Sequence, residues 1–253
     1  MTIAGSDPSG GAGLQADLKT FHQHGVYGTS IVTLLTVQNT MSVSEVRVLD
    51  PEFVIAQLES VISDIPPAAA KTGALGSAEV ITAVASRAVD FAFPLVVDPV
   101  MISKHGARLI DEDAEAVLRQ KLLPCAALVT PNLAEARVLA EIEVHDLASM
   151  EEAARIISEQ GVANVLVKGG HLTGDATDVL WCDGQIHHMA APRIDSLNTH
   201  GTGCVYSAAI TAQLARGIPL ARAVREAKQF ITAAIRTSPD LGQGCGPVNL
   251  HVS

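Results

Sequence analysis

The chain has 253 residues, of which 48% are hydrophobic and only 3% aromatic, and its formal net charge at pH 7 is -10. An acidic chain is a poor partner for nucleic acid or for an anionic membrane, because both are themselves polyanions. No stretch reaches the ~20 apolar residues that span a bilayer. The chain shows no basic leader, and its four cysteines contain no C-x-x-C pair. We therefore expect a cytoplasmic protein with reduced thiols, without a zinc site or a disulfide framework.

Short apolar strands alternate with amphipathic helices along the chain. The first strand, 1–4, begins without a lead-in, which indicates a truncated start. Later strands are predicted at 26–37, 43–49, 68–72, 95–99, 127–130 and 165–168, followed by a hairpin at 179–186. Helices are predicted at 12–24, 51–64, 77–88, from 111 onward, and at 131–140, 149–160, 202–215 and 219–237. Asp183-Gly184 suits the type I′ turn of the hairpin.

This alternation predicts a mostly parallel sheet with helices on both faces, a three-layer α/β/α sandwich formed as one domain over 1–253. Ligands of such folds bind at the carboxyl ends of the strands. Polar and glycine residues follow most of the predicted strands, at 5–13, 38–39, 72–73, 98, 130–132, 168–171 and 199–204. One edge of the sheet is therefore predicted to carry the chemistry.

The stretch Gly201-Thr202-Gly203-Cys204 is predicted to open a helix. Exposed N–H groups, the helix dipole and glycines that admit close approach together favour an anion. The same field would lower the pKa of the Cys204 thiol, so that it could serve as a base or nucleophile. Taken alone, the stretch suits a plain helix entry with a small buried cysteine even better. The other motifs have to decide between the two.

The stretch Gly11-x-Gly13-x-x-Ala16 matches the relaxed dinucleotide fingerprint, which makes an NAD-linked oxidoreductase a remote alternative. The match is weak, because several residues separate the glycines from the preceding strand and the next strand ends in Gln38 instead of an acid. No G-x-x-x-x-G-K-[ST] motif of a P-loop NTPase occurs.

Phosphoryl transfer without a P-loop needs anion donors, a cation, oxygen ligands for Mg²⁺ and a group that takes the acceptor's proton. The predicted edge offers the N–H groups of Gly201 to Gly203, the ammonium of Lys168, the oxygens of Asp98, Asn132 and Glu135, and the thiol of Cys204.

Each of these residues also has a purely structural interpretation. Asp98 suits the cap of a turn, Asn132 a helix N-cap, Glu135 compensation of a helix dipole, and Lys168 a solvated cation. Singly these interpretations are the better ones, but their coincidence at one edge favours a site.

Six motifs occur in the order found in the hydroxymethylpyrimidine/phosphomethylpyrimidine kinases of thiamine biosynthesis, which have a ribokinase-like fold. The motifs are 4–20, Gln38-Asn39-Thr40, 97–101, Thr130-Pro131-Asn132, 168–171 and 198–204. The chain resembles this family from Thr2 to the Gly-Pro-Val at 246–248.

The resemblance implies two successive ATP-dependent transfers with Mg²⁺, onto the hydroxymethyl oxygen of 4-amino-5-hydroxymethyl-2-methylpyrimidine and then onto the monophosphate. It also implies a homodimer. By position, Gln38 would bind the aminopyrimidine, helped by Gly5 and Asp17. The remaining roles would be an anion hole at Gly201, Thr202 and Gly203, a catalytic base at Cys204, Mg-ATP ligands at Asp98, Asn132 and Glu135, and a phosphate cation at Lys168.

Two alternatives remain beside this interpretation, a pyridoxine/pyridoxal kinase of the same fold and a non-catalytic pyrimidine-binding protein. We also expect one of two glycine-bearing segments, 104–107 or 242–247, to cover the pyrimidine.

Overall fold

A computed structural model describes residues 1–102, 106, 110, 112–170 and 174–252. Within this part of the chain, nine strands form one sheet. They are β1 Thr2–Ser6, β2 Ser30–Gln38, β3 Val43–Val48, β4 Ala70–Thr72, β5 Leu95–Val97, β6 Leu128–Val129, β7 Val165–Val167, β8 Asp178–Cys182 and β9 Gln185–Met189. Their order is β3-β2-β1-β4-β5-β6-β7-β8-β9. The pairs from β2 to β7 are parallel and the two edges are antiparallel, which confirms the predicted sheet.

Helices cover both faces of the sheet. They are α1 Gly13–Gln23, α2 Pro51–Asp64, α3 Ala78–Ala88, α4 Glu112–Val117, α5 Leu133–Ala140, α6 Leu147–Glu159, α7 Thr202–Ala215 and α8 Leu220–Arg236. Helices α2 to α6 pack on one face, and α1, α7 and α8 pack on the other. The predicted three-layer sandwich is confirmed, and none of the described helices is both long and apolar enough to cross a membrane.

The central strands are apolar on both sides because both of their faces are covered. In β5, Leu95 and Val97 belong to the core under α2 to α6, whereas Val96 belongs to the core under α7 and α8. Leu166 in β7 lies on the α7 side in the same way. Aliphatic side chains of this size fill both layers, in keeping with the low aromatic content.

Local signals set several element ends. The Asp50 carboxylate accepts hydrogen bonds from Glu52 N and Phe53 N, so α2 begins at Pro51 as predicted. The hairpin turn has positive φ at Asp183 and Gly184, as the type I′ turn requires. Strand β2 begins later than predicted, at Ser30, because Val26 N donates back to Phe21 O and so continues the turn after α1. The predicted helix start at Asp111 lies outside the described residues.

Strand order reverses at β1, which has β2 on one side and β4 on the other. In open α/β sheets, such a reversal leaves a crevice at the carboxyl ends of the strands, where ligands bind. Strand β1 ends before Asp7, β5 before Asp98 and β7 before Lys168. The topology therefore brings the predicted functional residues to one edge.

Candidate active site

The turn before α7 has the geometry of an anion site. Gly201 has φ 78°, and a Cβ placed on it would lie 1.7 Å from the carbonyl oxygen of Gly11, so only glycine fits. Val205 N donates to Gly201 O, while Thr202 Oγ1 donates to Thr199 O at 2.7 Å. Thr202 N also donates to Thr199 O, at 3.3 Å. The amide groups of the first helical turn have no place in the intrahelical ladder, so a helix start of this kind suits an anion.

Replacing Gly201 with alanine is expected to destabilise the fold and to impair turnover, because the new methyl group overlaps the Gly11 carbonyl. The matched control is Gly25→Ala, where φ is +71° but a Cβ meets nothing within 4 Å. The control should cost only the left-handed strain of ~1–2 kcal/mol. Urea unfolding of both variants measures the difference. Equal losses would show that the contact with Gly11 is unimportant.

The glycines of the dinucleotide-like stretch serve this packing. Gly11 abuts Gly201, and a Cβ on Gly13 would lie 2.4 Å from Gly5 O. A Cβ on Gly11 would itself lie 2.6 Å from His200 Cδ2 and 3.0 Å from Pro247 Cβ. Close packing thus requires both glycines, which removes the main support for the oxidoreductase alternative.

Lys168 and Asp98 meet directly beside the start of α7. Lys168 Nζ donates to Asp98 Oδ1 at 2.9 Å, and a Cβ on Gly203 would lie 3.4 Å from Lys168 Nζ and 3.8 Å from Asp98 Oδ2. Burial opposes the charged form of Lys168, but the carboxylates of Asp98 and Glu135 outweigh it and raise the pKa of the ammonium. A fixed positive charge therefore lies next to the anion-binding amides.

Asn132 and Glu135 form the capping box of α5. Asn132 Oδ1 accepts from Glu135 N at 3.0 Å, and Glu135 Oε2 accepts from Asn132 N at 2.8 Å. Asn132 is thus the N-cap of α5, and its side-chain oxygen already accepts a hydrogen bond from Glu135 N. The expected role of Asn132 as a metal ligand stays a prediction.

Glu135 and Asp98 still suit a divalent cation. Burial raises the pKa of Glu135 to about 7, with Lys168 opposing the shift and Asp98 adding to it. A cation would relieve this repulsion between two buried carboxylates. The described residues contain no group of three or more His, Cys, Asp or Glu side chains placed to hold a metal. That sparse set suits Mg²⁺, which is usually bound through one or two carboxylates plus phosphate oxygens and water.

Cys204 lies between the starts of two helices, because the Gly13 N–H at the start of α1 donates to its sulfur. Desolvation of the partly buried thiol nevertheless raises its pKa to about 11; Lys71 opposes the shift, and the carboxylates of Asp17 and Asp98 add to it. The expected lowering of the pKa by the helix start is therefore wrong for the ligand-free protein. Burial and two nearby acids exceed the effect of the helix dipole.

A buried ion pair lies beneath this region. Lys71 Nζ donates to Asp17 Oδ1 at 2.8 Å, and Thr2 Oγ1 donates to Asp17 Oδ2 at 2.6 Å. Both charged side chains are 0% exposed. Asp17 thus lies in the core as one half of an ion pair, and its expected place in the pyrimidine pocket stays a prediction. Lys71 was not among the predicted site residues, although a lysine inside the apolar strand 68–72 was an available signal.

Gln38 lies at the end of β2, and one residue, His200, links its side chain to the turn before α7. Gln38 Nε2 lies 3.4 Å from His200 Nε2, and Gln38 Oε1 lies 3.2 Å from Thr36 Oγ1. His200 Nε2 in turn lies 2.7 Å from Asp7 Oδ2. Gly5, the other expected pyrimidine residue, is buried, and a Cβ there would overlap Leu34. The structure thus sets the Gln38 amide beside the turn that begins at His200.

The segment before the C-terminus forms a fixed wall at this site. Cys245 N donates to Thr40 O at 2.9 Å, and Gly246 N donates to Asn198 Oδ1 at 3.2 Å. These contacts tie 242–247 to the strand end that carries Gln38. The other expected cover, 104–107, lies outside the described residues except for Gly106, and His171 of the 168–171 motif is outside them as well.

A cleft of about 480 Å³ opens between the end of β9 and α8, and Asp178 links it to the residue after Lys168. Gly169 N donates to Asp178 Oδ1 at 2.9 Å, and Lys228 Nζ donates to Asp178 Oδ2 at 2.7 Å. Lys228 lines the cleft together with Ala190, Pro192, Arg225, Thr232 and Arg236. The volume and basic lining suit a small anionic ligand.

Comparison with known proteins agrees with this geometry. The family model for phosphomethylpyrimidine kinase matches residues 7–249. A hydroxymethylpyrimidine/phosphomethylpyrimidine kinase of Haemophilus influenzae is 48% identical, over 98% of this chain and 95% of that protein. A bifunctional thiamine biosynthesis protein of Geobacter sulfurreducens is 51% identical over 98% of this chain, which spans only 51% of that longer protein.

Among solved structures, the pyridoxal kinase of Bacillus subtilis in an ADP complex superposes with a TM-score of 0.90 at 38% identity. The match covers 98% of this chain and 95% of that one. Sequence and fold thus agree over nearly the whole chain, and the chain belongs to the phosphomethylpyrimidine kinase family.

Proposed function

We propose that this protein uses ATP to phosphorylate 4-amino-5-hydroxymethyl-2-methylpyrimidine and then its monophosphate, giving the diphosphate for thiamine biosynthesis. One observation carries the proposal. Lys168 and Asp98 lie beside the turn from Gly201 to Gly203, and His200, just before this turn, contacts Gln38. The family membership and the names of the relatives support the same substrate.

The residues divide the work of phosphoryl transfer among them. Amides at the start of α7 and the Lys168 ammonium stabilise the negative charge of the migrating phosphoryl group. Asp98 and Glu135 would hold Mg²⁺, which supplies positive charge to the phosphates when bound. Cys204 accepts the proton of the substrate's hydroxymethyl group. A loose transition state asks little of this base, so most of the rate comes from positioning and charge.

The cleft beyond Lys168 is proposed to receive the nucleotide. It adjoins the phosphate centre through Asp178, which binds both Gly169 N and Lys228 Nζ. The ADP complex of the Bacillus subtilis relative supports ATP as the donor. The nucleotide and the pyrimidine would then approach Gly201 from opposite sides.

Replacing Gln38 with leucine is expected to raise the KM for the pyrimidine at least about tenfold with a smaller effect on kcat, because one or two hydrogen bonds to the ring are lost. Steady-state kinetics at saturating Mg-ATP measure the change. Asn39→Leu, on the exposed neighbouring residue, serves as the control. An unaltered KM in the Gln38 variant would contradict the assignment of ring recognition.

A second candidate function is phosphorylation of pyridoxal, favoured by the close structural match to a pyridoxal kinase. Purified protein should be incubated with Mg-ATP and, separately, with hydroxymethylpyrimidine, its monophosphate and pyridoxal, and the products resolved by mass. Diphosphate formed from the monophosphate is the result expected here. Phosphorylation of pyridoxal alone would favour the second candidate.

A homodimer in the cytoplasm is also proposed, formed through the outer face of the β2–β3 hairpin. Leu35, Val37 and Met41 are 46%, 56% and 57% exposed there, an unusual density of apolar side chains for a free surface. The expected sedimentation is that of a dimer, with Val37→Asp shifting it toward the monomer. A monomeric wild type would contradict this proposal.

A further inference from the structure

The contact between Gln38 and His200 defines which way the Gln38 amide faces. Asp7 is a carboxylate whose pKa burial raises, but which hydrogen bonds from His200 and Ser9 bring below its usual value. A carboxylate only accepts hydrogen bonds, so the His200 Nε2 that lies 2.7 Å from Asp7 Oδ2 carries a hydrogen. This holds for the neutral and for the charged imidazole. Gln38 Nε2, 3.4 Å away, sets one N–H group against another. Turning the amide by 180° brings its carbonyl oxygen to this N–H instead, which is the favourable orientation.

Thr36, on the other side of the amide, leads to the same orientation. Thr36 Oγ1 lies 2.9 Å from Ser6 O and 3.2 Å from the Gln38 amide. A hydroxyl has one hydrogen, and the backbone carbonyl at the shorter distance takes it. Toward Gln38 the hydroxyl can then only accept, but Gln38 Oε1 at 3.2 Å has no hydrogen to donate. The same 180° turn of the amide places its NH₂ group beside Thr36 and makes this contact favourable. Two independent contacts therefore agree on one orientation.

Asp7 is well placed to hold this arrangement. Its Oδ1 accepts from Ser9 N at 2.8 Å and from Ser9 Oγ at 2.7 Å, and its Oδ2 accepts from Ala12 N at 2.9 Å. Asp7 and His200 are only 3% and 2% exposed. Neither side chain can turn without breaking several buried hydrogen bonds.

We propose that His200, held by Asp7, is a specificity-determining positioning residue that fixes the Gln38 amide with its oxygen toward His200 and its NH₂ toward Thr36. The inference rests on the proposed function, since it concerns the ring bound by Gln38. A fixed amide offers one donor and one acceptor in one order. It complements a ring nitrogen beside an exocyclic amine and opposes a ring N–H beside an exocyclic carbonyl.

The test compares two ligands that differ in this order. Dissociation constants are measured by calorimetry, without nucleotide, for 4-amino-5-hydroxymethyl-2-methylpyrimidine and for the analogue with a 4-oxo group and a hydrogen on the adjacent ring nitrogen. Wild type is expected to prefer the amine by about 100-fold. In His200→Leu the amide can turn, so the preference should fall to about tenfold or less.

Four further variants separate orientation from general support of the loop. His200→Gln keeps an N–H donor anchored on Asp7 and should retain the wild-type preference. In Gln38→Leu the preference should be nearly absent, and adding His200→Leu should not change it, because no amide remains to be oriented. Asp7→Asn removes the carboxylate that keeps a hydrogen on His200 Nε2. It is the deciding variant if thermal melting shows that His200→Leu does not fold.

A wild-type preference retained in His200→Leu, or in Asp7→Asn where that variant decides, would overturn the inference. So would a wild type that binds both ligands equally. Phosphorylation of the amine by the wild type, measured in parallel, distinguishes failure of the inference from failure of the proposed function. If the wild type phosphorylates the amine and the variants keep its preference, the inference alone is wrong. If the wild type neither binds nor phosphorylates the amine, the proposed function is wrong and the inference with it.

Discussion

Replacing Cys204 with alanine is expected to lower kcat by about 10²- to 10⁴-fold, the usual contribution of a positioned general base. Pyrimidine binding should remain, because Gln38 and His200 are untouched. Single-turnover rates and calorimetric binding measure the two effects separately. Cys125→Ala, at the end of the turns that follow α4, is the matched control and should behave as wild type. Undiminished turnover in the Cys204 variant would remove the base assignment.

The raised pKa of the Cys204 thiol gives this prediction a pH dependence. The base must be the thiolate, and a pKa of about 11 leaves the thiol protonated at neutral pH. Below that pKa the thiolate fraction grows about tenfold per pH unit. We therefore expect kcat/KM of the wild type to rise between pH 7 and pH 9, and the residual activity of Cys204→Ala to lack this rise. A flat wild-type profile would show that the thiol does not take the proton.

Replacing Lys71 with methionine is expected to lower the free energy of unfolding by ~3–5 kcal/mol, because the Asp17 carboxylate is left buried without its cation. The pair is 2.8 Å apart and neither side chain is exposed. The double variant Lys71→Met, Asp17→Asn removes the charge as well and should recover most of the loss. Urea unfolding monitored by circular dichroism measures all three proteins.

The matched control is the surface pair Arg47 and Glu45, whose side chains are 77% and 50% exposed. Arg47→Met should leave the unfolding midpoint unchanged, since exposed pairs contribute little. A Lys71→Met protein as stable as the wild type, or a double variant no better than the single one, would contradict the account of the buried pair.

Much of the architecture was predictable from local chemistry. The proline at position 51 and the glycines before α7 mark helix starts, so the bounds of α2 and α7 were predicted to the residue. Strands alternating with helices led to the sheet, and the sheet led to the edge at which Asp98, Lys168 and the Gly201 turn meet. Strand ends and helix starts depend on residues that are neighbours in the chain, so the sequence predicts them.

Side chains whose neighbours are distant in the chain were harder to predict. Asn132 had two interpretations, and the choice between cap and ligand depended on where its oxygen points. Asp17 had the expected residue type for a polar pocket, but Lys71, which lies 54 positions away, takes its carboxylate into the core. Such pairings arise when strands and helices pack, and no local pattern encodes them.

By itself, the sequence determined the order of the elements, the edge that carries the chemistry and the family, because periodicity and motif order are local properties. Only the tertiary structure decided the environment that raises the pKa of the Cys204 thiol and the contact of the Gln38 amide with His200. Burial and nearby carboxylates set the first. The second depends on Asp7 and His200, 193 positions apart in the chain but 2.7 Å apart in the fold. Desolvation and hydrogen-bond partners exist only once the chain has packed.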